Sequence, residues 1–324
     1  MPEFFNKAVF LDLDSMGSGL NLDCLKPLAQ HWDLHPVTPA DQTLQRIIDA
    51  DLVCSNKVVL SRQILQQCSR LKLVCIAATG INNIDLAAAR ELGIAVTNVT
   101  AYGTASVVQH VFALLLSLTN RLNEHQQSTL NGQWQQSPYF CVLDYPFREL
   151  AGKTFGIIGF GELGKGVAKI AQAFGMTVIV ASRPGDKELK PGRLPFNEVL
   201  RRSDVISLHV PLAENTANMI STDQFALMKN DAILINTARG GIVDELALLE
   251  ALKSGQIAAA GFDVLDKEPP VEGNCLLRSD LTNLIITPHV AWAATESRQR
   301  LIHLMADNIK AFVNGKMLNR VDKS

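Results

Sequence analysis

The feature that most constrains this chain is a short apolar run, residues 154–158, that leads into glycines spaced as GxGxxG. Residues 165–174 then show helical periodicity, so the stretch predicts a strand, a tight turn and a helix. Gly159 would permit the turn, Gly161 would leave room for a pyrophosphate, and Gly164 would let helix and strand pack closely. Amide groups at the helix N-terminus would face the anion. The stretch predicts a dinucleotide-binding unit, with a glycine turn in an ordinary α/β unit as the alternative.

Short apolar strands and helical segments also alternate in the first half of the chain. Strands are predicted over residues 7–12, 33–37, 51–54, 73–77 and 94–97. Helices are predicted over residues 22–30, 39–50, 61–68 and 104–121. This alternation predicts a parallel sheet covered on both faces. Because 324 residues exceed what one core usually holds, we expect two domains.

The bulk composition argues against several classes of partner. A formal net charge of -2 and a charged fraction of 19% give no electrostatic reason to expect nucleic acid or an anionic membrane. The N-terminal residues lack the apolar core of a signal peptide, and no apolar run approaches the length of a membrane span. The cysteines are scattered without CxxC pairs, so we expect a cytoplasmic protein without disulfides or a metal site.

The end of the strand after the glycine motif bears on the choice of dinucleotide. About 20 residues beyond the glycines, an acidic residue normally accepts hydrogen bonds from the adenosine ribose of NAD. This chain has Ser182 there, followed by Arg183. A missing carboxylate removes repulsion toward a 2′-phosphate, and a guanidinium can hold that phosphate bidentately. We therefore expect NADP(H) in preference to NAD(H), with a solvated surface arginine as the alternative.

Three successive apolar strands are predicted over residues 232–236, 258–262 and 284–287. Each is followed by a residue whose side chain can bind an anion or transfer a proton: Arg239, Glu268 and His289. The carboxyl ends of parallel strands open on one crevice, where the glycine turn also lies. We therefore expect these side chains to converge beside the cofactor. Each alone would be an ordinary loop residue, but together they favour an active site.

Two other segments support separate hypotheses. Asp12 and Asp14 follow a first strand as in haloacid-dehalogenase-type phosphatases, although the chain shows no convincing later acidic pair for magnesium. The alternative is a strand that polar residues cap. Residues 123–146 are polar and aromatic, which suits an arm that covers a partner subunit or a surface excursion packed on its own domain. We expect a homodimer.

Longer motifs surround the three strand-end residues: NTARGGIVD over 236–244, GFDV over 261–264 followed by Glu268-Pro269, and TPHVAW over 287–292. They resemble the signatures of the D-isomer-specific 2-hydroxyacid dehydrogenases, and the likeness covers nearly the whole chain. Trp292 and the turn over residues 78–83 are similar to the glycerate dehydrogenase, or hydroxypyruvate reductase, branch of that family.

The resemblance implies a Rossmann-type doubly wound parallel sheet for the nucleotide domain, and a discontinuous flavodoxin-like substrate domain. The substrate domain would comprise residues 1–100 and 290–324, around a dinucleotide-binding domain of 101–289. The implied reaction is NAD(P)H-dependent reduction of hydroxypyruvate to D-glycerate, and of glyoxylate to glycolate. A broader 2-oxoacid reductase or a phosphoglycerate dehydrogenase is the alternative. A dinucleotide-binding regulator of the corepressor type would keep the fold and bind protein partners instead.

The resemblance also implies catalytic roles, which chemistry supports. His289 would deliver a proton to the substrate carbonyl oxygen, because imidazole titrates near neutrality. Glu268 would orient the ring and favour the imidazolium. Arg239 would hold the substrate carboxylate and polarise the carbonyl.

Further residues complete the implied site. The backbone amides of Thr79 and Gly80 would bind the other side of the substrate carboxylate, and Trp292 would shape the pocket. His209 is expected to be structural. The residues expected to line the cofactor are Gly159, Gly161, Glu162, Leu163, Gly164, Ser182, Arg183, Val210, Pro211, Thr216, Thr237, Ala238 and Asp263, the last against the nicotinamide carboxamide.

Overall fold

The computed structural model describes residues 5–186 and 188–323, which form two compact α/β units. Residues 5–103 and 293–323 make up the first unit, and residues 104–292 make up the second. Each unit is built on one parallel sheet. The predicted fold class is therefore confirmed. None of the helices in the described residues combines the length and the apolar character that crossing a bilayer requires.

The strands are β1 (Phe5–Phe10), β2 (Ala29–Leu34), β3 (Leu52–Ser55), β4 (Leu73–Ile76), β5 (Ala95–Thr97), β6 (Thr154–Ile158), β7 (Thr177–Val180), β8 (Val205–Leu208), β9 (Ile233–Asn236), β10 (Ala259–Phe262) and β11 (Leu284–Ile286). The helices are α1 (Thr43–Ile47), α2 (Arg62–Leu65), α3 (Leu86–Glu91), α4 (Thr104–Thr119), α5 (Leu122–Leu130), α6 (Glu162–Ala173), α7 (Phe196–Arg202), α8 (Thr222–Leu227), α9 (Glu245–Lys253) and α10 (Thr295–Val313).

The first unit has the strand order β2-β1-β3-β4-β5, which is the flavodoxin-like order. Every residue of β3 and β4 is buried, as expected for central parallel strands with both faces covered. The Asp12 carboxylate, which follows β1, is buried and accepts hydrogen bonds from the backbone N–H groups of Asn56 and Lys57, at 2.9 and 2.6 Å. Asp12 therefore holds the loop after β3 to the end of β1, a structural role for the residue that suggested a phosphatase.

The predicted helix over residues 22–30 is wrong. That segment contains a short 3-10 turn, Lys26–Leu28, and strand β2 begins directly afterwards, four residues before the predicted strand at 33–37. Pro27 lacks an N–H donor and its ring clashes with the preceding turn, so an α-helix cannot run through it without losing a hydrogen bond. β2 instead pairs in parallel with β1 from end to end, a long-range contact that local periodicity does not reveal.

The second unit has the strand order β11-β10-β9-β8-β6-β7. The chain passes from β6 to its outer neighbour β7 and then returns to β8 on the other side of β6. In doubly wound sheets, ligands bind outside the carboxyl ends of the strands where the order reverses in this way. The fold therefore places the glycine turn after β6 at the expected ligand crevice.

Helices cover both faces of this sheet. On one face, α4 and α6 pack through a core that includes Leu115, Phe155 and Val167. On the other face, α7 and α9 pack through Leu200, Ile206 and Leu248. Because the two cores sandwich the sheet, its strands are nearly continuous apolar runs, as the sequence suggests.

The polar and aromatic segment begins with helix α5 and continues in turns to residue 147. We call residues 122–147 the arm. Tyr139, Phe140 and Leu143 on the arm are 75%, 91% and 79% exposed. Such a concentration of exposed large apolar side chains is unusual for a surface that faces only water.

Candidate active site

The glycine turn is shaped by close backbone packing. Gly159 has a φ of +94°, and a Cβ atom there would lie 2.4 Å from the carbonyl oxygen of His209. A Cβ atom on Gly164 would lie 2.2 Å from the carbonyl oxygen of Gly159. Gly161, the N-cap of α6, has open space around the same position, with nothing within 4 Å. That open space at a helix N-terminus fits the close approach of a pyrophosphate.

Two buried hydroxyl groups lie at the carboxyl ends of strands near this turn. Ser182 follows β7 and Thr237 follows β9, and neither Oγ atom has a hydrogen-bond partner among the residues that the structure describes. Buried hydroxyls are usually paired, so these two atoms are suited to a polar ligand. Arg183 is exposed, and its backbone N–H donates to Asp186 at 3.1 Å. The donor set thus fits a dinucleotide.

The remaining cofactor candidates lie in the first turn of α6 and in the turn after β8. Glu162 accepts a hydrogen bond from Thr104, and Leu163 is half-buried. After β8, the Thr216 hydroxyl donates to the carbonyl of Pro211 and accepts from the backbone of Ala213, both at 2.7 Å. Thr216 therefore fixes the conformation of the turn that begins with Val210 and Pro211. Ala238, which follows β9, is buried.

His289 and Glu268, which lie 21 residues apart in the sequence, are hydrogen-bonded. Nδ1 of His289 lies 2.6 Å from Oε2 of Glu268, and each side chain is about one-third exposed. The other carboxylate oxygen, Oε1, accepts from the backbone N–H of Leu265 at 2.8 Å. Two hydrogen bonds thus fix the carboxylate, and among the described residues no hydrogen-bond partner contacts Nε2 of the imidazole.

Arg239 follows β9, the strand beside β10, so Arg239, Glu268 and His289 come from three adjacent strands. Because these strands are parallel and adjacent strands lie about 4.8 Å apart, their carboxyl ends lie side by side along one edge of the sheet. The three residues follow those ends. Gly240 lets the Arg239 loop pack against the Glu268 loop, because a Cβ atom there would clash with the carbonyl group of Leu265. The Arg239 side chain is exposed, and Nη1 donates to the carbonyl of Ala238 at 2.6 Å.

Asp263 orders the loop that holds His289. It is 1% exposed, and its carboxylate accepts from the Thr287 hydroxyl at 2.6 Å and from the backbone N–H groups of Val290 and Ala291 at 2.9 and 2.8 Å. The Asp263 carbonyl oxygen accepts from the backbone N–H of His289 at 2.8 Å. The contact between Asp263 and the nicotinamide stays a prediction. In the structure, the Asp263 carboxylate stabilises the loop that carries His289.

Sequence reasoning missed His110 on α4. Its Nε2 lies 2.8 Å from Thr287 Oγ1 and 3.5 Å from Asp263 Oδ1, so it joins the same network. The available signal was a lone histidine inside a strongly apolar helix. Trp292 also contacts the loop, since its indole N–H donates to the His289 carbonyl at 3.0 Å.

Thr79 and Gly80 belong to the first unit. They follow β4, and the Thr79 hydroxyl donates to the Val99 carbonyl at 2.9 Å. The Asn98 side chain donates to the Thr79 carbonyl at 2.8 Å. These bonds fix the turn within its own unit.

Comparison with known proteins agrees with the resemblance. A family profile described as D-isomer specific 2-hydroxyacid dehydrogenase, NAD binding domain, matches residues 112–291. The chain is 43% identical to glycerate dehydrogenase of Methylorubrum extorquens, over 98% of this chain and 99% of that one. It is 39% identical to hydroxypyruvate reductase of Blautia hydrogenotrophica, over 96% of each chain. A solved acyclic imino acid reductase, in complex with NADPH and D-Arg, has 28% identity and a TM-score of 0.83, over 97% of this chain and 99% of that one.

His209 generates a prediction about acid stability. Burial lowers the pKa of His209 from its ordinary 6.5 to about 4. Between these values the unfolded chain binds more protons than the folded chain, so stability must fall as the pH decreases through this window. We expect His209 to contribute about 2–3 kcal/mol to the difference in unfolding free energy between pH 7.5 and pH 4.5.

Urea unfolding of the wild type and of His209→Asn at both pH values measures this contribution. The variant should lose less stability on acidification than the wild type does. His303→Asn, which changes an exposed histidine on α10, should leave the pH dependence unchanged. Equal pH dependence in the wild type and His209→Asn would contradict the prediction.

Proposed function

The chain belongs to the D-isomer specific 2-hydroxyacid dehydrogenase family, and on that premise we propose that it reduces hydroxypyruvate to D-glycerate, and glyoxylate to glycolate, with NADPH. The hydrogen bond between His289 and Glu268, at the edge of the sheet where Arg239 also lies, supports this proposal most directly. Relatives named glycerate dehydrogenase and hydroxypyruvate reductase, each similar over nearly the whole chain, support the choice of substrate.

In the proposed reaction, protein groups stabilise and protonate the substrate carbonyl. When bound, the reduced nicotinamide cofactor would supply a hydride for the carbonyl carbon. His289 gives a proton from Nε2 to the carbonyl oxygen, while Glu268 accepts the hydrogen bond from Nδ1–H and orients the ring. Arg239 binds the substrate carboxylate through paired N–H donors and polarises the carbonyl. Thr79 and Gly80 contribute backbone amides to the same carboxylate.

We propose that the substrate domain comprises residues 1–100 and 290–324, and that residues 101–289 bind the dinucleotide. Trp292 would shape the substrate pocket, and Asp263 would meet the nicotinamide carboxamide.

The preference for NADP(H) rests on Ser182 and Arg183, which replace the usual acidic residue. We also propose a cytoplasmic location, because the cysteines are scattered along the sequence as in proteins of a reducing compartment.

A panel of 2-oxo acids, assayed with NADPH and with NADH, tests the proposed substrate and cofactor. We expect the highest kcat/KM with hydroxypyruvate and NADPH, measurable turnover of glyoxylate, and little turnover of 3-phosphohydroxypyruvate. The turn over residues 78–85 contains no lysine or arginine that would bind a phosphate. A clear preference for NADH would contradict the cofactor assignment, and absence of turnover would favour a binding protein of the corepressor type.

Replacement of the proposed general acid should separate chemistry from cofactor binding. We expect His289→Ala to lower kcat by about 10²–10⁴-fold, as loss of general acid catalysis does. The affinity for NADPH, measured by fluorescence titration, should change little. His303→Ala is the control, since it removes an exposed histidine from α10. Near-wild-type turnover in His289→Ala would exclude the proposed role.

We also propose that the arm, residues 122–147, contacts a second copy of this chain. Its exposed Tyr139, Phe140 and Leu143 would lose their contact with water in a homodimer. Sedimentation should show a dimer at micromolar concentration, and Phe140→Asp should shift it toward the monomer. A wild-type monomer at that concentration would contradict the assignment.

A further inference from the structure

Arg193 lies beside the end of β7, although it comes ten positions after Arg183 in the sequence. Leu194 forms a parallel bridge with Ala181, and its carbonyl accepts from the backbone N–H of Ser182 at 2.8 Å. The chain at residues 193–194 therefore runs alongside the strand end that would face the adenosine ribose. The long loop after β7 returns a second arginine to this position.

The guanidinium of Arg193 is held from two sides. Its Nη1 donates to the Ala181 carbonyl at 3.0 Å, and its Cζ lies 5.0 Å from the ring centroid of Phe160. Phe160 is the residue between Gly159 and Gly161. These contacts place the cation between the glycine turn and the end of β7, and they order a side chain that would otherwise lose rotamer freedom on binding a ligand.

The unused donors of Arg193 suit a phosphate monoester. Of the three guanidinium nitrogens, Nη1 is the one that donates to an acceptor in the described residues. Nε and Nη2 therefore remain for a ligand. Ser182 directly follows Ala181, whose carbonyl Arg193 contacts, and its hydroxyl is buried without a hydrogen-bond partner in the described residues. A guanidinium edge and a hydroxyl together form a donor set that binds phosphate oxygens well.

We propose that Arg193 is a specificity-determining residue that binds the 2′-phosphate of NADP(H) together with Ser182. This inference rests on the proposed preference for NADP(H). Arg183, which is exposed, supplies a second cation. The selectivity for the phosphate therefore depends more on Arg193 than on the arginine directly after the strand.

Calorimetric binding of 2′,5′-ADP and 5′-AMP tests the proposal without turnover, because the two probes differ only in the 2′-phosphate. Arg193→Met removes the charge but can keep the contact with Phe160. We expect Arg193→Met to bind 2′,5′-ADP about ten- to a hundredfold more weakly than the wild type, and 5′-AMP within about twofold. Arg193→Lys should regain part of the affinity for 2′,5′-ADP.

Arg201→Met is the matched control, because Arg201 is exposed on α7, which leads to the opposite, amino edge of the sheet. It should leave both affinities unchanged. Unchanged affinities for both probes in Arg193→Met, or an equal loss of affinity for both, would overturn the inference. An equal loss would indicate that Arg193 supports the pocket or contacts the adenine. A wild type that does not prefer 2′,5′-ADP would instead contradict the proposed NADP(H) preference itself.

Discussion

The geometry of the candidate active site depends on one buried carboxylate, that of Asp263. A buried charge is costly unless hydrogen bonds satisfy it, and here the donors come from the loop after β11: the hydroxyl of Thr287 and the backbone of Val290 and Ala291. The same loop carries His289, whose φ of +53° is unusual for a residue other than glycine. The bonds that satisfy Asp263 therefore also hold His289 in a backbone conformation that it would rarely adopt alone.

Parallel topology explains why this arrangement needs so few special residues. β9, β10 and β11 are neighbours in the sheet, so their carboxyl ends place Arg239, Glu268 and His289 along one edge. Gly240 then allows two of the three loops to touch, since a side chain there would overlap the Leu265 carbonyl. The sheet provides the approximate position of each residue, and a few local contacts provide the final orientation.

Much of this could be predicted from the sequence, because each part has a local signal. The glycine spacing predicts the turn after β6, and apolar runs with a charged residue beyond them predict the strand ends at Arg239 and His289. The helix predicted over residues 22–30 is wrong because Pro27 and the pairing of β2 with β1 outweigh the local helical periodicity. His110 and Arg193 were missed for a related reason, since each becomes informative only when it contacts a distant segment.

The site divides its polar groups into two kinds, and the division suits its proposed task. Glu268 is bonded to His289 and to the backbone N–H of Leu265, so the protein alone fixes the proposed proton donor. Ser182 and Thr237 are buried without a protein partner in the described residues, so a ligand that pairs with them relieves a cost already present in the fold. Substitutions at the ends of β7 and β9 are therefore expected to change the affinity for the proposed cofactor without moving His289 and Glu268.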